Sequence, residues 1–344
     1  MTGSSPIFER EGTDDDARFE QRIRPESFGD FVGQERILDN LKTYIVAARM
    51  RGEKVLDHIL FSGPPGMGKT TLSRIIAREM GGTLFSTSGP VLDRPTDLAG
   101  ILTKMGEGDF LFIDEIHRMN KAVMEYIYSA MEDFCIDIVL DQGPAARSVK
   151  LNLKPFTLVG ATTREGILTG PFRERFQIRE RLDPYPPAEL ARILERTSNI
   201  MNIRIDADAS AFIAERARGT PRVANRFLRR VRDLAQVKNA DAINLDIGRE
   251  GLAMLGVDDR GLEEMDRRIL RVILRHGGRP VGLKTIAVAV DEEEGTIESV
   301  YEPYLVRMGF MVKTPQGRVA TDRASRVFGE EPEETNDGRQ GRLF

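Results

Sequence analysis

The chain has 344 residues, of which 40% are hydrophobic and 30% are charged, and its formal net charge is −4 at pH 7. Because domains commonly contain ~100 to 200 residues, this length predicts two or three domains. The composition excludes a disordered chain and a membrane protein. The first residues are acidic and polar where a signal peptide would be basic and then apolar, so we expect a cytoplasmic protein without a membrane partner.

Rare residue types exclude further classes of protein. Cys135 is the single cysteine, so no internal disulfide can form. The three histidines, His58, His117 and His276, are scattered and have no metal-ligand spacing. We therefore expect neither covalent catalysis nor a zinc site.

Charge is unevenly distributed along the chain. Acidic residues are concentrated in 11–16 and 330–334, whereas 218–232 is rich in arginine. Binding to nucleic acid requires clustered Lys and Arg. The negative charge of the whole chain therefore does not exclude a nucleic-acid partner.

The sequence patterns, taken in chain order, predict three domains between two tails. Residues 1–22 and 329–344 are rich in acidic residues, Gly and Ser and are predicted to be disordered. Between 23 and 184, short apolar runs alternate with helical patterns, which is typical of a parallel sheet with crossover helices. The predicted strands are 59–61, 84–86, 110–113, 157–160 and 178–182.

Two smaller domains follow a proline-rich hinge at 184–187. Apolar residues at helical spacing in 185–257 predict a small all-α domain. Residues 258–328 predict three helices and then two short strands around the turn 314–317, which is the outline of a winged helix. The predicted fold class is α/β, with a parallel sheet, a small helical domain and a C-terminal winged-helix domain.

The strongest motif is Gly63-Pro64-Pro65-Gly66-Met67-Gly68-Lys69-Thr70, which fits the P-loop pattern G-x-x-x-x-G-K-[ST] between a predicted strand and a predicted helix. Glycines let backbone amides wrap a phosphate, and the helix N-terminus adds a favourable dipole. Lys69 supplies positive charge and Thr70 can hold Mg²⁺. The flanking strand and helix favour a phosphate site over an ordinary glycine-rich turn.

Two carboxylates follow the predicted strand 110–113. Asp114 is suited to binding Mg²⁺, largely through water, and Glu115 to polarising the attacking water. An isolated Asp-Glu pair is more often a solvated loop, but here the pair lies downstream of a P-loop. It is therefore predicted to belong to a site of nucleotide hydrolysis.

Other residues could complete such a site. The apolar run that begins at Leu158 ends in Thr162 and Thr163, and the carboxyl ends of parallel strands face one crevice, so a hydroxyl there could orient the water or the γ-phosphate. Ordinary filling of the strand by β-branched residues is the alternative. Arg173 and Arg175 precede the last strand, where the spacing fits an arginine finger and a surface salt bridge equally well.

Together with these motifs, Arg24-Pro25, the segment 28–34 and Gly219-Thr220-Pro221-Arg222 resemble the AAA+ ATPases. The match then narrows to the RuvB family, the hexameric motors that drive branch migration of Holliday junctions. The segments that resemble this family are 87–90, 114–118, 143–148, 160–164 and 229–233. Similarity runs from about residue 23 to residue 323, so the two tails lie outside it.

The resemblance implies ATP and Mg²⁺ as cofactors and gives roles to residues around them. Ile23, Arg24 and Tyr185 would border the adenine, and the backbone of Glu132, Asp133 and Phe134 would approach the nucleotide. The phosphates would be held by the P-loop and the residue after it, namely Gly63, Gly66, Met67, Gly68, Lys69, Thr70 and Thr71.

It also implies two sensors and a finger. Thr163 would be the first sensor, and Arg222 the second sensor that reaches the γ-phosphate from the small domain. Arg175 would be the finger that acts on the neighbouring subunit, with Arg173 beside it. Gln177 stands where relatives commonly carry Gly, which is a departure from the pattern of the finger loop.

The family likeness implies macromolecular partners as well. A hairpin at about 136–153 would dock on the partner protein RuvA, with Ile138 and Leu140 as apolar anchors, although a plain surface hairpin is the alternative. On the winged domain, Lys313 and Arg318 would contact DNA phosphates without reading sequence. Charge on a hairpin tip that only improves solvation is the alternative there.

The resulting hypothesis is an ATP-hydrolysing motor that drives branch migration of Holliday junctions in recombination and DNA repair. It would form a homohexamer around duplex DNA and act with RuvA and with the resolvase RuvC. An AAA+ protein unfoldase would need an aromatic pore loop and no wing, and a clamp loader usually carries Ser-Arg-Cys at its finger, which is absent here. A nucleotide-gated DNA-binding regulator would prefer one DNA sequence.

Overall fold

The computed structural model describes residues 14–139 and 148–328. The chain divides into two compact units, Met1–Arg229 and Arg230–Phe344. Within the described ranges we find no helix with the length and apolar character that crossing a membrane requires.

The first unit contains eight helices and eight strands among its described residues, and the boundary between the units falls within a ninth helix, α9 (Pro221–Val237). The eight helices are α1 (Asp14–Ile23), α2 (Glu35–Met50), α3 (Lys69–Met80), α4 (Pro95–Leu102), α5 (Lys121–Glu132), α6 (Gly170–Glu174), α7 (Pro187–Ile200) and α8 (Ala207–Arg216). The strands are β1 (Ile59–Ser62), β2 (Leu84–Ser88), β3 (Phe110–Asp114), β4 (Cys135–Val139), β5 (Ser148–Asn152), β6 (Thr157–Thr162), β7 (Ile178–Arg181) and β8 (Arg204–Ile205).

Five of these strands form a parallel sheet in the order β2-β3-β6-β1-β7. Every residue of β1 and β6 is buried, as is typical of parallel strands that are covered on both faces. The five predicted strands and the predicted parallel sheet are confirmed. In register, Ser62 lies beside Thr162, and Ile113 lies beside Gly160, so β1, β6 and β3 end next to one another.

The N-terminal segment corrects one prediction. The tail was expected to be disordered up to residue 22, but α1 covers residues 14 to 22 and Ile23. The Phe19 ring lies 5.0 Å from the Arg229 guanidinium carbon, and the Ile23 side chain is buried. These two apolar residues are four positions apart and so share one helix face, which the acidic composition of the segment concealed.

Strands β4 and β5 pair antiparallel at the base of the segment predicted to be a hairpin, with Ile136 beside Leu151. The Ile136 side chain is fully buried, so the base of this hairpin packs into the first unit. The predicted anchor Leu140 and the side chain of Ile138 lie outside the described residues.

The second unit continues with β9 (Ala242–Ile243) and α10 (Leu245–Met254), and then forms the C-terminal domain. The elements of that domain are α11 (Glu264–Leu274), α12 (Leu283–Val290), α13 (Glu294–Thr296), a π-helical turn (Ile297–Tyr301), α14 (Glu302–Arg307), β10 (Met311–Thr314), β11 (Gly317–Ala320) and α15 (Asp322–Phe328). The predicted winged helix is confirmed, with α13, the π turn and α14 standing where one helix was predicted.

The wing, defined as β10, β11 and the turn between them, forms a β-bridge with the segment that precedes α12. The backbone groups of Val281 and Arg318 exchange two hydrogen bonds, of 2.9 and 2.8 Å. Gly317 adopts a φ of 148°, and a Cβ there would lie 2.4 Å from the Val281 carbonyl oxygen. Only glycine therefore allows the bridge to form at this distance.

Candidate nucleotide-binding site

The P-loop connects β1 to α3 through backbone conformations that favour glycine. The φ angle is 129° at Gly63, 76° at Gly66 and 105° at Gly68. A Cβ on Gly63 would lie 2.2 Å from the Leu182 carbonyl oxygen, and one on Gly66 would lie 2.9 Å from Thr220 Cγ2. The loop can keep this shape only with glycine at these positions, and the shape fits a cradle for phosphate.

Lys69 is buried inside the loop as the first residue of α3. Its Nζ donates to the carbonyl oxygens of Gly63 at 2.8 Å and Pro64 at 2.9 Å. Burial lowers the pKa of Lys69, while the nearby carboxylates of Asp114 and Glu115 act in the opposite direction. Both hydrogen-bond partners are neutral, so the charge of the ammonium remains available to a phosphate.

The residues that follow Lys69 are placed for the same ligand. Thr70 and Thr71 lie in the first turn of α3 and are partly exposed, whereas Met67 is buried beneath the loop. A helix N-terminus with free amide groups favours a bound anion.

The end of β3 carries the predicted carboxylate pair. Asp114 Oδ1 accepts a hydrogen bond from the backbone N–H of Glu115 at 3.0 Å. Glu115 has a φ of 47°, in the left-handed region, and is followed by a short 3-10 helix, Ile116–Arg118. A non-glycine residue in this region costs on the order of 1–3 kcal/mol and persists only where the surrounding structure holds it.

Two side chains contact the Glu115 carboxylate, one from the residue after β6 and one from the 3-10 helix after β3. Thr163 Oγ1 donates to Glu115 Oε2 at 3.1 Å, which brings together the predicted base and the predicted first sensor. His117 Nδ1 lies 3.3 Å from the same oxygen and 2.9 Å from Thr162 Oγ1. Glu115 is thus fixed at the edge where β1, β6 and β3 end, beside the P-loop.

The structure places the ring of His117, which has no role in the predicted site, against the predicted base. Burial lowers the pKa of His117, the Glu115 carboxylate opposes that shift, and Arg164 and Arg118 reinforce it. The imidazole is therefore neutral at pH 7. The only signal for this contact in the sequence is that His117 follows Glu115 by two residues.

The predicted adenine side is built from buried residues near the P-loop. The Tyr185 hydroxyl donates to the Met67 carbonyl oxygen at 3.2 Å, and the Tyr185 N–H donates to the Gly219 carbonyl oxygen at 2.9 Å. Burial raises the pKa of Tyr185, so the phenol stays protonated. Ile23 is buried as well, and burial lowers the pKa of Arg24.

Arg222, the predicted second sensor, lies over the P-loop in the first turn of α9. A Cβ on Gly66 would lie 3.0 Å from Arg222 Cβ. The guanidinium is mostly exposed, and its Nε donates to Glu20 Oε1 of α1 at 3.0 Å. The contact with Glu20 was not predicted from the sequence, because the two residues are far apart in the chain.

Arg175, the predicted finger, lies at the opposite ends of the strands. It precedes Ile178, which pairs with Ile59 at the amino end of β1, whereas the P-loop follows Ser62 at the carboxyl end. A strand rises by roughly 3.3 Å per residue, so the length of β1 separates Arg175 from the P-loop of its own chain.

Three contacts hold the Arg175 guanidinium. It pairs with Glu132 Oε1 at 2.8 Å and donates to the Pro171 carbonyl oxygen at 2.7 Å. It also lies over the Tyr128 ring, at 4.4 Å from the ring centre. Arg173, predicted to stand beside the finger, is partly buried on α6, the short helix that ends directly before Arg175.

Residues 132 to 134 lie at the amino ends of the strands too. His58, just before β1, contacts the Met131 carbonyl oxygen through Nε2 at 3.2 Å, and the Phe134 ring lies edge-on to it at 6.5 Å. The structure therefore brings Glu132 and Phe134 to Arg175, and not to the P-loop of the same chain. Asp133 ends α5 and is exposed.

Lys313 and Arg318 face each other across the two strands of the wing. Both cations contact one carboxylate, that of Glu302: Arg318 Nε lies 2.5 Å from Glu302 Oε1, and Lys313 Nζ pairs with Glu302 Oε2. Glu302 was not predicted from the sequence.

The donor groups at the predicted metal site suit Mg²⁺, which prefers hard oxygen ligands and retains several waters. Thr70 offers a hydroxyl in the first turn of α3, and Asp114 offers a carboxylate at the end of β3, one of the strands that end beside the P-loop. One hydroxyl and one carboxylate are enough for an ion that also binds the phosphates of a nucleotide.

Three family models match the chain in succession. They describe the "Holliday junction DNA helicase RuvB P-loop domain" over residues 23–182, the "RuvB AAA lid domain" over 185–258 and the "RuvB C-terminal winged helix domain" over 259–329.

Similar proteins carry the same family name. The chain is 58% identical over 314 residues to a "Holliday junction branch migration complex subunit RuvB" of Chlorobaculum tepidum, covering 91% of each chain. It is 52% identical to the protein of that name from Myxococcus xanthus, covering 100% of this chain and 99% of that one. The solved structure of the "Thermotoga maritima RuvB Holliday junction branch migration motor" matches with a TM-score of 0.83 and 47% identity, covering 90% of this chain and 99% of that chain.

Proposed function

This chain belongs to the RuvB family of P-loop ATPases, and we propose that it works as an ATP-driven motor for branch migration of Holliday junctions. In this proposal, a homohexamer encloses duplex DNA and moves it relative to the junction. The hydrogen bond between Thr163 and Glu115 is the observation that carries the proposal, because it joins the predicted base after β3 to the predicted first sensor after β6, and both strands end beside the P-loop that follows β1.

Hydrolysis uses the residues at the carboxyl ends of β1, β6 and β3. Glu115 polarises a water for attack on the γ-phosphate, and Thr163 keeps the carboxylate in position. Lys69 exchanges its two carbonyl partners for phosphate oxygens. Mg²⁺, held by Thr70 and through water by Asp114, would neutralise charge on the phosphates.

Arg175 acts on the nucleotide of a neighbouring copy. Its place at the amino ends of the strands, away from the P-loop of its own chain, supports this role. Glu132 and Phe134 lie with it, so the backbone of residues 132–134 would also approach the neighbour's nucleotide. An active site made from two copies makes hydrolysis depend on ring assembly.

Arg222 links the nucleotide to the conformation of the chain. It lies over Gly66 and is paired with Glu20, so it must leave Glu20 to reach a γ-phosphate. Binding and loss of that phosphate would then change which partner Arg222 holds. This exchange would convert hydrolysis into movement.

Two further surfaces bind partners in this proposal. The segment at about 136–153, whose base is the antiparallel pair of strands β4 and β5, docks on RuvA, and RuvC joins the larger complex. Lys313 and Arg318 of the wing contact DNA phosphates, which gives affinity that is independent of sequence.

Conversion of a synthetic four-way junction to duplex products tests the proposal directly. The protein is assayed with ATP and Mg²⁺, with and without RuvA, beside Lys69→Ala and Glu115→Gln. Glu107→Gln, which alters an exposed ion pair with Lys54, is the matched control. We expect conversion that depends on RuvA and is lost in the first two variants alone. ATP hydrolysis without any conversion would overturn the branch-migration claim and leave the ATPase intact.

A further inference from the structure

A buried carboxylate, that of Glu302, lies beneath the wing of the second unit. Glu302 is the first residue of α14, and its side chain is 1% exposed. Arg318 binds it through two nitrogens, with Nε at 2.5 Å from Oε1 and Nη2 at 3.2 Å from Oε2. Lys313 binds the second oxygen from the other strand of the wing.

The local fold explains why this carboxylate lies beneath the wing. Pro303, the next residue, lacks an N–H and cannot continue a regular helical hydrogen-bond ladder. The preceding turn, Ile297–Tyr301, is π-helical, and such turns are common at functional sites. The π-helical turn ends directly before Glu302. The Glu302 side chain is buried, whereas glutamates on helices usually face the solvent.

The two cations need this partner. Lys313 and Arg318 are directly opposite each other in the β10–β11 pair, where like charges repel. Burial alone would raise the pKa of Glu302, but the hydrogen bonds and charges of Arg318 and Lys313 outweigh it and hold the pKa below its usual range. The carboxylate is therefore ionised at neutral pH and offsets one of the two positive charges.

Exposure differs sharply across the three residues. The side chain of Lys313 is 45% exposed and that of Arg318 is 16% exposed, while Glu302 is sealed beneath them. A DNA phosphate at the wing could reach Lys313, whereas Glu302 cannot turn away from the pair. Oε1 of Glu298, whose side chain is 41% exposed, lies 3.9 Å from Lys313 Nζ and adds a second negative charge near this lysine.

We propose that Glu302 is an internal counter-ion that competes with DNA phosphate for Lys313 and Arg318. It positions both cations and reduces the net charge that the wing presents to DNA. The inference rests on the proposed DNA role of these two cations. A motor must release DNA as often as it binds, and a built-in competitor weakens each phosphate contact without removing the residues that make it.

Glu302→Gln in the full-length protein tests the proposal, because it removes the charge and nearly keeps the shape. Binding to a fluorescent duplex is measured by anisotropy at salt concentrations from about 50 to 200 mM, with Glu294→Gln as the control. Glu294 is an exposed carboxylate in the same domain and makes the same change in net charge.

We expect Glu302→Gln to bind more tightly at low salt. The slope of log affinity against log salt should steepen by up to about 0.9 for each protomer that contacts DNA. Glu294→Gln should keep the wild-type slope. Equal slopes for wild type and Glu302→Gln would overturn the proposal, and so would equal steepening in both variants, which would indicate a general charge effect.

Two additional variants separate the ways in which the idea can fail. Lys313→Ala should weaken binding and flatten the slope; if it changes neither, the wing does not contact DNA and the proposed DNA role is wrong. If Lys313→Ala behaves as expected but Glu302→Gln does not, only the counter-ion is wrong. Should Glu302→Gln fail to fold, Glu302→Asp keeps the buried charge and draws the carboxylate away from Lys313, so a wild-type slope in that variant overturns the proposal.

Discussion

Lys69 in the P-loop and Lys313 in the wing are each proposed to meet a phosphate, but their surroundings differ. Lys69 is buried, and its ammonium is held by two neutral carbonyl groups of its own loop. Lys313 is half exposed and is held by the buried carboxylate of Glu302. A phosphate that replaces a carbonyl gains the full charge of the lysine, whereas one that replaces a carboxylate must outcompete another anion.

The difference suits the two tasks. A nucleotide must be bound tightly and oriented for reaction, whereas DNA that is being moved must be gripped and released. Arg175 and Arg222 resemble Lys313 in this respect, because each is paired with a carboxylate. In the proposed cycle, Lys69 exchanges neutral carbonyl partners for phosphate, whereas each of the other three cations must leave a carboxylate to reach one.

The largest effect is expected at Arg175, one of the cations that are paired with a carboxylate. Arg175→Ala should lower the turnover of ATP by roughly 10³-fold, which is the lower end of the range for arginine fingers. Arg179→Ala, at an exposed position on β7, is the control. Steady-state ATP hydrolysis measures both variants.

Mixing variants shows whether Arg175 acts between copies. Arg175→Ala and Lys69→Ala subunits are each inactive alone, but a mixed ring contains some sites with an intact P-loop and a neighbour's intact finger. We therefore expect partial recovery of hydrolysis. A mixture that stays as inactive as its components would show that Arg175 acts in its own chain, and would break the comparison with Lys313.

In the P-loop site, Glu115→Gln should lower the turnover of ATP by on the order of 10²-fold, because the amide cannot accept a proton from water. Nucleotide affinity should be kept, since the cations and the loop are unchanged. Titration with a fluorescent ATP analogue beside the hydrolysis assay separates the two quantities. Loss of binding together with turnover would mean that Glu115 supports the loop and not the reaction.

Gly66→Ala should weaken ATP binding by about 10-fold, corresponding to about 1.4 kcal/mol. The new Cβ would contact Thr220 and Arg222 at 2.9 and 3.0 Å. Gly81→Ala is a matched control, because Gly81 has a φ of 77° and nothing within 4 Å of an added Cβ. Both variants place an alanine at nearly the same positive φ, so a difference in ATP affinity, measured by calorimetry, reports the contacts of the new Cβ in the P-loop. Equal ATP affinities in the two variants would contradict the role of the P-loop shape at Gly66 in binding ATP.

The smallest effect is expected at the wing. Lys313→Ala should reduce duplex affinity only a few-fold near 0.1 M salt, because Glu302 already offsets part of the charge, and flatten the salt slope by less than about 0.9 per contacting protomer. Anisotropy across a salt series measures both. If the salt slope instead flattens by the full ~0.9 per contacting protomer, Glu302 does not weaken the contact of Lys313 with phosphate. The proposed contrast with Lys69 would then be wrong.

Most of the core fold could be predicted from the sequence. The five strands of the sheet and the winged helix follow from apolar runs, helical spacing and turn residues, which are local patterns. Helix α1 could not be predicted in this way, because its apolar residues Phe19 and Ile23 are few and its stabilising partners lie in α7 and α9.

The residues that bear the predicted chemistry were evident in the sequence by itself. Glycines at fixed spacing before Lys69, and a carboxylate pair at the end of an apolar strand, have few uses other than a phosphate site. Their meeting at one edge follows from the parallel arrangement of β1, β6 and β3, since parallel strands end on the same side.

Only the tertiary structure decided which partner each cation holds. Glu20, Glu132 and Glu302 each lie in a different element from the guanidinium or ammonium groups that they bind, and each is an ordinary glutamate in a charged chain. Ion pairs depend on distances of a few ångströms between side chains from different elements, and composition and periodicity carry no information at that scale. The sequence determined where phosphate is proposed to bind, and the packing of different elements determined what it must displace there.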